Sequence, residues 1–232
     1  METVELCRLS DPDVPHPMWT QLGATAWRSA ETVSVRDAVR KLGHGSTAGA
    51  KLVAAGVLPT VTAPGYQNPR VSMGTVDFLH DLPALTRDDL ASCATTLIVR
   101  CGGPGREGAA TPGYDPETGR RYYGFHRTMT RRQAVLGGAA WWPIAPRTLG
   151  LPGRRLVPGE RLSTDLTDLW VTVGGLVVLH VGIEHAVTSA DPVTGTARPL
   201  VALVVGDARQ ERTGTWLPPT TSGNTVLRAT SW

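Results

Sequence analysis

The phrase Gly56-Val57-Leu58-Pro59 limits what this chain can fold into more than any other short stretch in it. A glycine behind a helix-compatible run supplies a left-handed terminus, and a proline three residues on cannot continue a helix. The run before it, Ala48 to Ala55, therefore reads as a short helix with Leu52 and Val53 turned inward and Ser46 and Thr47 as N-caps. The residues after it read as extended. Leu58 to Ala63 and Pro69 to Ser72 are two β-prone runs, and Pro64-Gly-Tyr-Gln-Asn68 between them is a turn-forming insert suited to a hairpin tip.

The flanks extend this unit in both directions. Ser34-Val-Arg-Asp37 is a capping-box-like start, and Val35, Ala38, Val39 and Leu42 recur at helical spacing until Gly43 stops the run. Beyond the hairpin, Ser72 to Leu79 carries Val76 and Leu79 at helical spacing, and Pro83 ends it. The order is helix, turn, helix, hairpin, helix.

Those residues resemble the DNA-binding domains of MerR-type regulators and phage excisionases. The resemblance is carried by Val33 to Gly43, Ser46-Thr47, Leu52-Val-Ala-Ala-Gly-Val-Leu-Pro59, Arg70-Val71 and Val76-Asp-Phe-Leu79. It implies a winged helix-turn-helix over residues 31–85, with its second helix in a major groove and its hairpin on the backbone or minor groove. On that reading His44, Ser46, Thr47 and Lys51 face double-stranded DNA, and Tyr66, Gln67, Asn68 and Arg70 line the wing. Arg36, Arg40, Lys41 and Arg70 then supply phosphate contacts. The chain departs from the family in one respect. Such recognition helices commonly carry two or three arginines, whereas this one offers Ala48, Gly49 and Ala50 with a single Lys51, which leaves no bidentate reader of guanine. A winged helix kept for packing or protein contact is the competing reading.

The remainder divides into a Pro-rich arm, residues 1–30, either loosely held or packed by Trp19 and Trp27, and a β-rich region, residues 95–232. A connecting helix is expected over Thr86 to Ala94. Strands are expected over Thr95–Val99, Arg121–His126, Leu169–Val173, Leu176–Val181 and Leu200–Val205, with a helix over Thr130 to Ala140 ending at Trp141-Trp142. Gly174-Gly175 reads as a hairpin turn, and Asp115-Pro-Glu-Thr-Gly119 and Asp191-Pro-Val-Thr-Gly195 share one turn chemistry. The fold class is α+β, a winged helix followed by a barrel-like second domain with a faint likeness to PUA and ASCH barrels. The tail ending in Trp232 gives no signal.

Net charge is +3, but residues 100–161 hold 11 basic and 4 acidic groups between two acidic flanks. Within that island Arg120, Arg121, Arg127, Arg131, Arg132, Arg154 and Arg155 interleave with aromatics, a combination that suits a second nucleic-acid surface or equally a set of solvated arginines. Cys7, Cys93 and Cys101 have neither CxxC spacing nor a partner histidine, so no zinc or disulfide framework is implied. No signal-peptide pattern or long apolar span appears, and a cytoplasmic, nucleoid-associated location without membrane contact is expected. His180, Glu184 and His185 do not converge on a strand, and no phosphate-cradling loop, nucleophile elbow or metal spacing occurs. No cofactor, metal or catalytic residue is expected. The implied partners are double-stranded DNA, a second copy of the chain, or a transcription or recombinase partner. The sequence points to a sequence-specific regulator, with an excisionase-like accessory protein or an RNA- or protein-interaction module as alternatives.

Overall fold

The computed structural model describes residues 7–25, 31–62, 65–103, 124–139, 142–189, 199–207, 211–220 and 225–232. Helices and strands are both present, so the chain is α+β. Near the N-terminus lie strand β1 (Cys7–Arg8) and helix α1 (Pro17–Thr25). They are followed by β2 (Thr32–Ser34), α2 (Val35–Lys41), α3 (Ser46–Ala54), β3 (Thr60–Val61), β4 (Arg70–Ser72) and α4 (Met73–His80). Helix α5 (Arg87–Ala91) leads into β5 (Thr96–Cys101) and α6 (Arg131–Ala139). Strands β6 (Arg161–Leu162), β7 (Asp168–Val173), β8 (Leu176–Thr188), β9 (Val201–Gly206) and β10 (Val226–Arg228) complete the order.

Local signals place most helix ends. The Ser34 hydroxyl accepts the Asp37 amide at 3.1 Å and donates to the Asp37 carboxylate at 2.6 Å, which starts α2. Thr86 and Asp89 form a reciprocal capping box on α5, and Thr130 and Gln133 do the same for α6 through bonds of 2.9 and 3.2 Å. One cap differs from expectation. Gly45, in an extended conformation and without a side-chain cap, precedes α3, so Ser46 is its first helical residue and neither Ser46 nor Thr47 caps it.

The larger sheet has seven strands in the order β1-β9-β8-β7-β5-β10, with β6 beside β8, and it curls into a half-barrel without closing. The pairs β1–β9 and β5–β7 are parallel and the others antiparallel. Strand β8 runs on through Thr188, well past the expected end at Val181: its first half pairs with β7, its second half with β9. The β7–β8 connection is the Gly174-Gly175 turn, at φ 59° and 96°. Gly124 to His126 lie outside any strand, and Phe125 instead packs on Trp19 with ring centroids 5.4 Å apart. Trp27, Trp141 and both D-P-x-T-G loops lie outside the described residues.

Two apolar layers result. On the inner face Leu97, Val99, Leu169, Val171 and Val181 join one continuous core with Leu22 of α1, Val39 of α2, Leu52 of α3 and Leu79 of α4. On the outer face Ile98, Trp170 and Val177 are covered by Leu90, Leu217 and Ala229. The N-terminal segment belongs to this body: β1 pairs with the edge of the large sheet, and Trp19 and Leu22 are buried.

A polar strap ties three distant segments together at Glu211. Its carboxylate accepts from the Thr213 amide at 2.9 Å and lies 3.7 Å from His16 Nε2 and 4.0 Å from the Arg131 guanidinium. Burial acts to raise this carboxyl, but hydrogen bonds from His16 and Thr213 outweigh it and bring it from 4.5 to about 2. The unfolded chain therefore takes up this proton first as pH falls, so the stabilisation is present above 4.5 and is lost toward about 2. Glu211→Gln is expected to lower stability near neutrality, by an amount that shrinks across that interval. Urea unfolding of both proteins over the interval checks it; a pH-independent difference would remove the strap's ionic character.

Candidate nucleic-acid interface

The helix pair and hairpin are built by two glycine-terminated helix ends and one close crossing. At the end of α3 the Gly56 amide bonds the Val53 carbonyl at 2.9 Å and the Val57 amide bonds the Leu52 carbonyl at 2.9 Å, with Gly56 at φ 69°. This is the Schellman arrangement, which satisfies the last carbonyls and turns the chain toward β3. The same pattern ends α2, where Gly43 bonds Arg40 at 3.0 Å and His44 bonds Val39 at 3.0 Å. The helices cross where Gly49 meets Val39; a Cβ at Gly49 would overlap the valine methyls. Gly49 is thus spent on packing inside the helix pair. Ala48 turns toward the Gly174 turn, and Ala50 is exposed.

Strand β4 sits between β2 and β3, with Val71 opposite both Val33 and Thr60. Arg70 locks this small sheet: its Nε donates to the Thr32 hydroxyl at 2.8 Å and a terminal nitrogen donates to the Thr32 carbonyl at 2.6 Å. The guanidinium also lies 3.9 Å over the ring of Tyr66, which is itself 55% exposed. Gln67 and Asn68 are exposed beside it at the hairpin tip.

The other expected site residues fall into two groups. On α2, Arg36, Arg40 and Lys41 are exposed; Arg40 pairs with Asp37 at 3.3 Å, and the Lys41 ammonium lies 3.8 Å from Met73 sulfur. The Ser34 hydroxyl, with Arg40 and Arg36 behind it, holds the Asp37 carboxyl below its ordinary value. On α3, Ser46 and Thr47 are exposed, while Lys51 is half-buried. His44 stacks on Trp216, with centroids 4.5 Å apart, and burial pushes its pKa down, so the ring stays neutral at neutral pH. His44, Thr47 and Lys51 line a cleft of about 370 Å³ between α3 and the end of the large sheet. Wing and cleft are separate groupings.

The arginines of the basic island do not gather into one stripe. Arg120 and Arg121 lie outside the described residues. Arg127 packs against Gly23 and Gly56. Arg131 faces Glu211, Arg132 lies 3.8 Å from Asp13, and Arg154 pairs with Glu160. Arg155 is exposed. Three of these guanidinium groups therefore have a carboxylate beside them, which lowers the field available to a distant polyanion.

Sequence reading missed the cleft, whose far wall comes from Arg100, Thr172, Leu217 to Thr220 and Trp232. One signal was present: Arg100 interrupts the apolar run Thr96-Leu-Ile-Val. It also missed the partner of His180, whose Nε2 lies 3.0 Å from Asp168 Oδ1 across the β7–β8 pair. The Asp168 carboxylate in turn accepts from Thr167 at 2.6 Å. Among the described residues no cluster of His, Cys, Asp or Glu is arranged to hold a metal ion, and no helix is long and apolar enough to cross a membrane. No family model matches this chain, and neither a curated protein nor a solved structure matches it.

Two substitutions probe the geometry. Gly56→Val forces a β-branched residue to positive φ and places its Cβ 2.6 Å from His126 Nε2, so a loss of about 2 kcal/mol or more is expected in denaturant unfolding. Arg70→Ala removes two charge-assisted bonds and the Tyr66 stack, and should cost about 1 to 2 kcal/mol. A wild-type midpoint in the second variant would mean that the clamp is not maintained in solution.

Proposed function

We propose that this chain binds double-stranded DNA through the α2–α3–hairpin unit and acts as a sequence-specific regulator. The supporting observation is the arrangement around α3: a helix whose outward residues Ser46, Thr47 and Ala50 are exposed, followed directly by a hairpin with an exposed polar tip at Tyr66, Gln67 and Asn68. A short helix with a small outward face can approach base edges closely, where a threonine or alanine methyl contacts the methyl of thymine. The amides of Gln67 and Asn68 suit adenine or minor-groove acceptors. Specificity would then lean toward A·T pairs.

Affinity would come from few charges. Arg36, Arg40 and Lys41 are the exposed cations of α2, and Arg70 acts chiefly by holding Tyr66 and Thr32 in place. With about three phosphates neutralised, the logarithm of the binding constant should fall with the logarithm of salt at a slope near −3. That is shallow for a duplex binder. The sparseness of cations on α3 also supports a second reading, in which the helix–hairpin unit is a scaffold for protein contact.

Selection of duplexes from a randomised library by the full chain separates these readings. DNA binding predicts an enriched A·T-rich motif, a weaker constant in Arg36→Ala and in Arg40→Ala, and a slope reduced by about one in each. Absence of any enriched duplex at low ionic strength would overturn the proposal. Clustered sites with a change in DNA bending would assign an architectural, excisionase-like role in place of a regulator.

A further inference from the structure

The hairpin tip carries an aromatic ring that is both exposed and held. Val14, Tyr66 and Val157 are the large apolar side chains exposed among the described residues, and of these only Tyr66 is aromatic. Gly65, at φ 81°, turns the chain directly before it. The Arg70 guanidinium lies 3.9 Å over one face of the ring. That guanidinium is itself anchored on another strand, by bonds of 2.8 Å to the Thr32 hydroxyl and 2.6 Å to the Thr32 carbonyl. Thr32 opens β2, which pairs with β4. With one face backed by the cation and the residue 55% exposed, the opposite face of the ring is turned to solvent, and Gln67 and Asn68 are exposed beside it. Two paired strands thus fix an aromatic plane at the outermost point of a turn.

Resting on the DNA-binding reading, we propose that Tyr66 is a stacking wedge whose open face inserts against a partly unstacked base step, with Arg70 as the positioning residue that presets it. Guanidinium, tyrosine ring and base then form one stack. A ring already fixed in its bound orientation loses little side-chain freedom on binding, so the stacking gain is not offset by ordering. A pyrimidine–purine step such as TpA opens at low cost, whereas an A-tract is stiff. The wedge therefore selects among A·T-rich sequences by deformability, a choice that the Gln67 and Asn68 amides cannot make from the degenerate minor-groove pattern. Arg70, bonded to Thr32 and covered by the ring, acts here through geometry and not through charge.

The probes are two short duplexes at low ionic strength, one of alternating T and A and one an A-tract, each with a single central 2-aminopurine in place of adenine. This base brightens when unstacked, so saturation with the full chain should raise its fluorescence about two-fold or more in the alternating duplex and leave the stiff A-tract unchanged. Tyr66→Ala should abolish the rise and weaken binding to the alternating duplex about ten-fold, as expected for the loss of one base–aromatic stack. Tyr66→Phe keeps the ring and should retain both. Arg70→Lys keeps the charge, so the salt dependence should match that of the wild type while the rise is lost. Persistence of the rise in Arg70→Lys would overturn the positioning role. A rise that survives Tyr66→Ala, or that disappears in Tyr66→Phe, would overturn the wedge. Wild-type binding to both duplexes with no rise removes the wedge and leaves the DNA-binding reading in place, whereas failure to bind either duplex removes both.

Discussion

The structure depends on helix α3 being gripped from two sides at Leu52. The side chain of Leu52 has no exposed surface and packs in the continuous core, a burial worth about 1.5 to 3 kcal/mol. Behind it Gly49 lets α2 approach through Val39. In front of it the Gly174 backbone comes so near that an added Cβ would lie 2.8 Å from Leu52 Cγ and 3.0 Å from the Ala48 carbonyl. The carbonyl of the same residue accepts both the Val57 and Leu58 amides, at 2.9 and 3.1 Å, and so starts the hairpin. One residue thus fixes where the helix lies, how it ends and where the small sheet begins.

This grip divides α3 into sectors with different surroundings. Gly49 and Leu52 are enclosed, Ser46, Ala50 and Ala54 meet solvent, and Thr47 and Lys51 stand at the cleft. The single cation of the helix lies on the sector shared with the large sheet, which is why charge and outward surface do not coincide. Any account of α3 as a reader of DNA has to rest on small groups and on the neighbouring hairpin. The cleft, in turn, is shaped by the same rigid seating: its α3 wall and its Gly174-Gly175 floor are locked together by the Leu52 contact.

What could be read from the residues alone was governed by range. The cap at Ser34 and the stops at Gly43 and Gly56 act between residues three to five apart and are found at their expected positions, and Thr86 and Thr130 open the helices expected to begin there. The Gly174-Gly175 turn is equally local. Gly45 displaced Ser46 as the N-cap because the end of α2 already set the turn, a dependence on the preceding helix that cap preference does not contain. Long-range choices were hidden. Nothing near Cys7 announces its pairing with Val205, nothing near Asp168 announces His180, and β8 outran its expected end because two different partners prolong it. The same limit applied to charge: Arg131 and Arg132 are adjacent in the basic island, yet Glu211 and Asp13 from distant parts of the chain stand beside them.

The curled sheet draws its outermost strands from opposite ends of the sequence, β1 against β9 and β10 against β5. Strand β10 is far from β5 in sequence, so the β5 edge is covered only when the chain beyond residue 225 is present and in place. Such an edge is a template for pairing with a neighbouring molecule. A shortened product lacking Val226 to Arg228 would leave the side of β5 open and tend to associate through it.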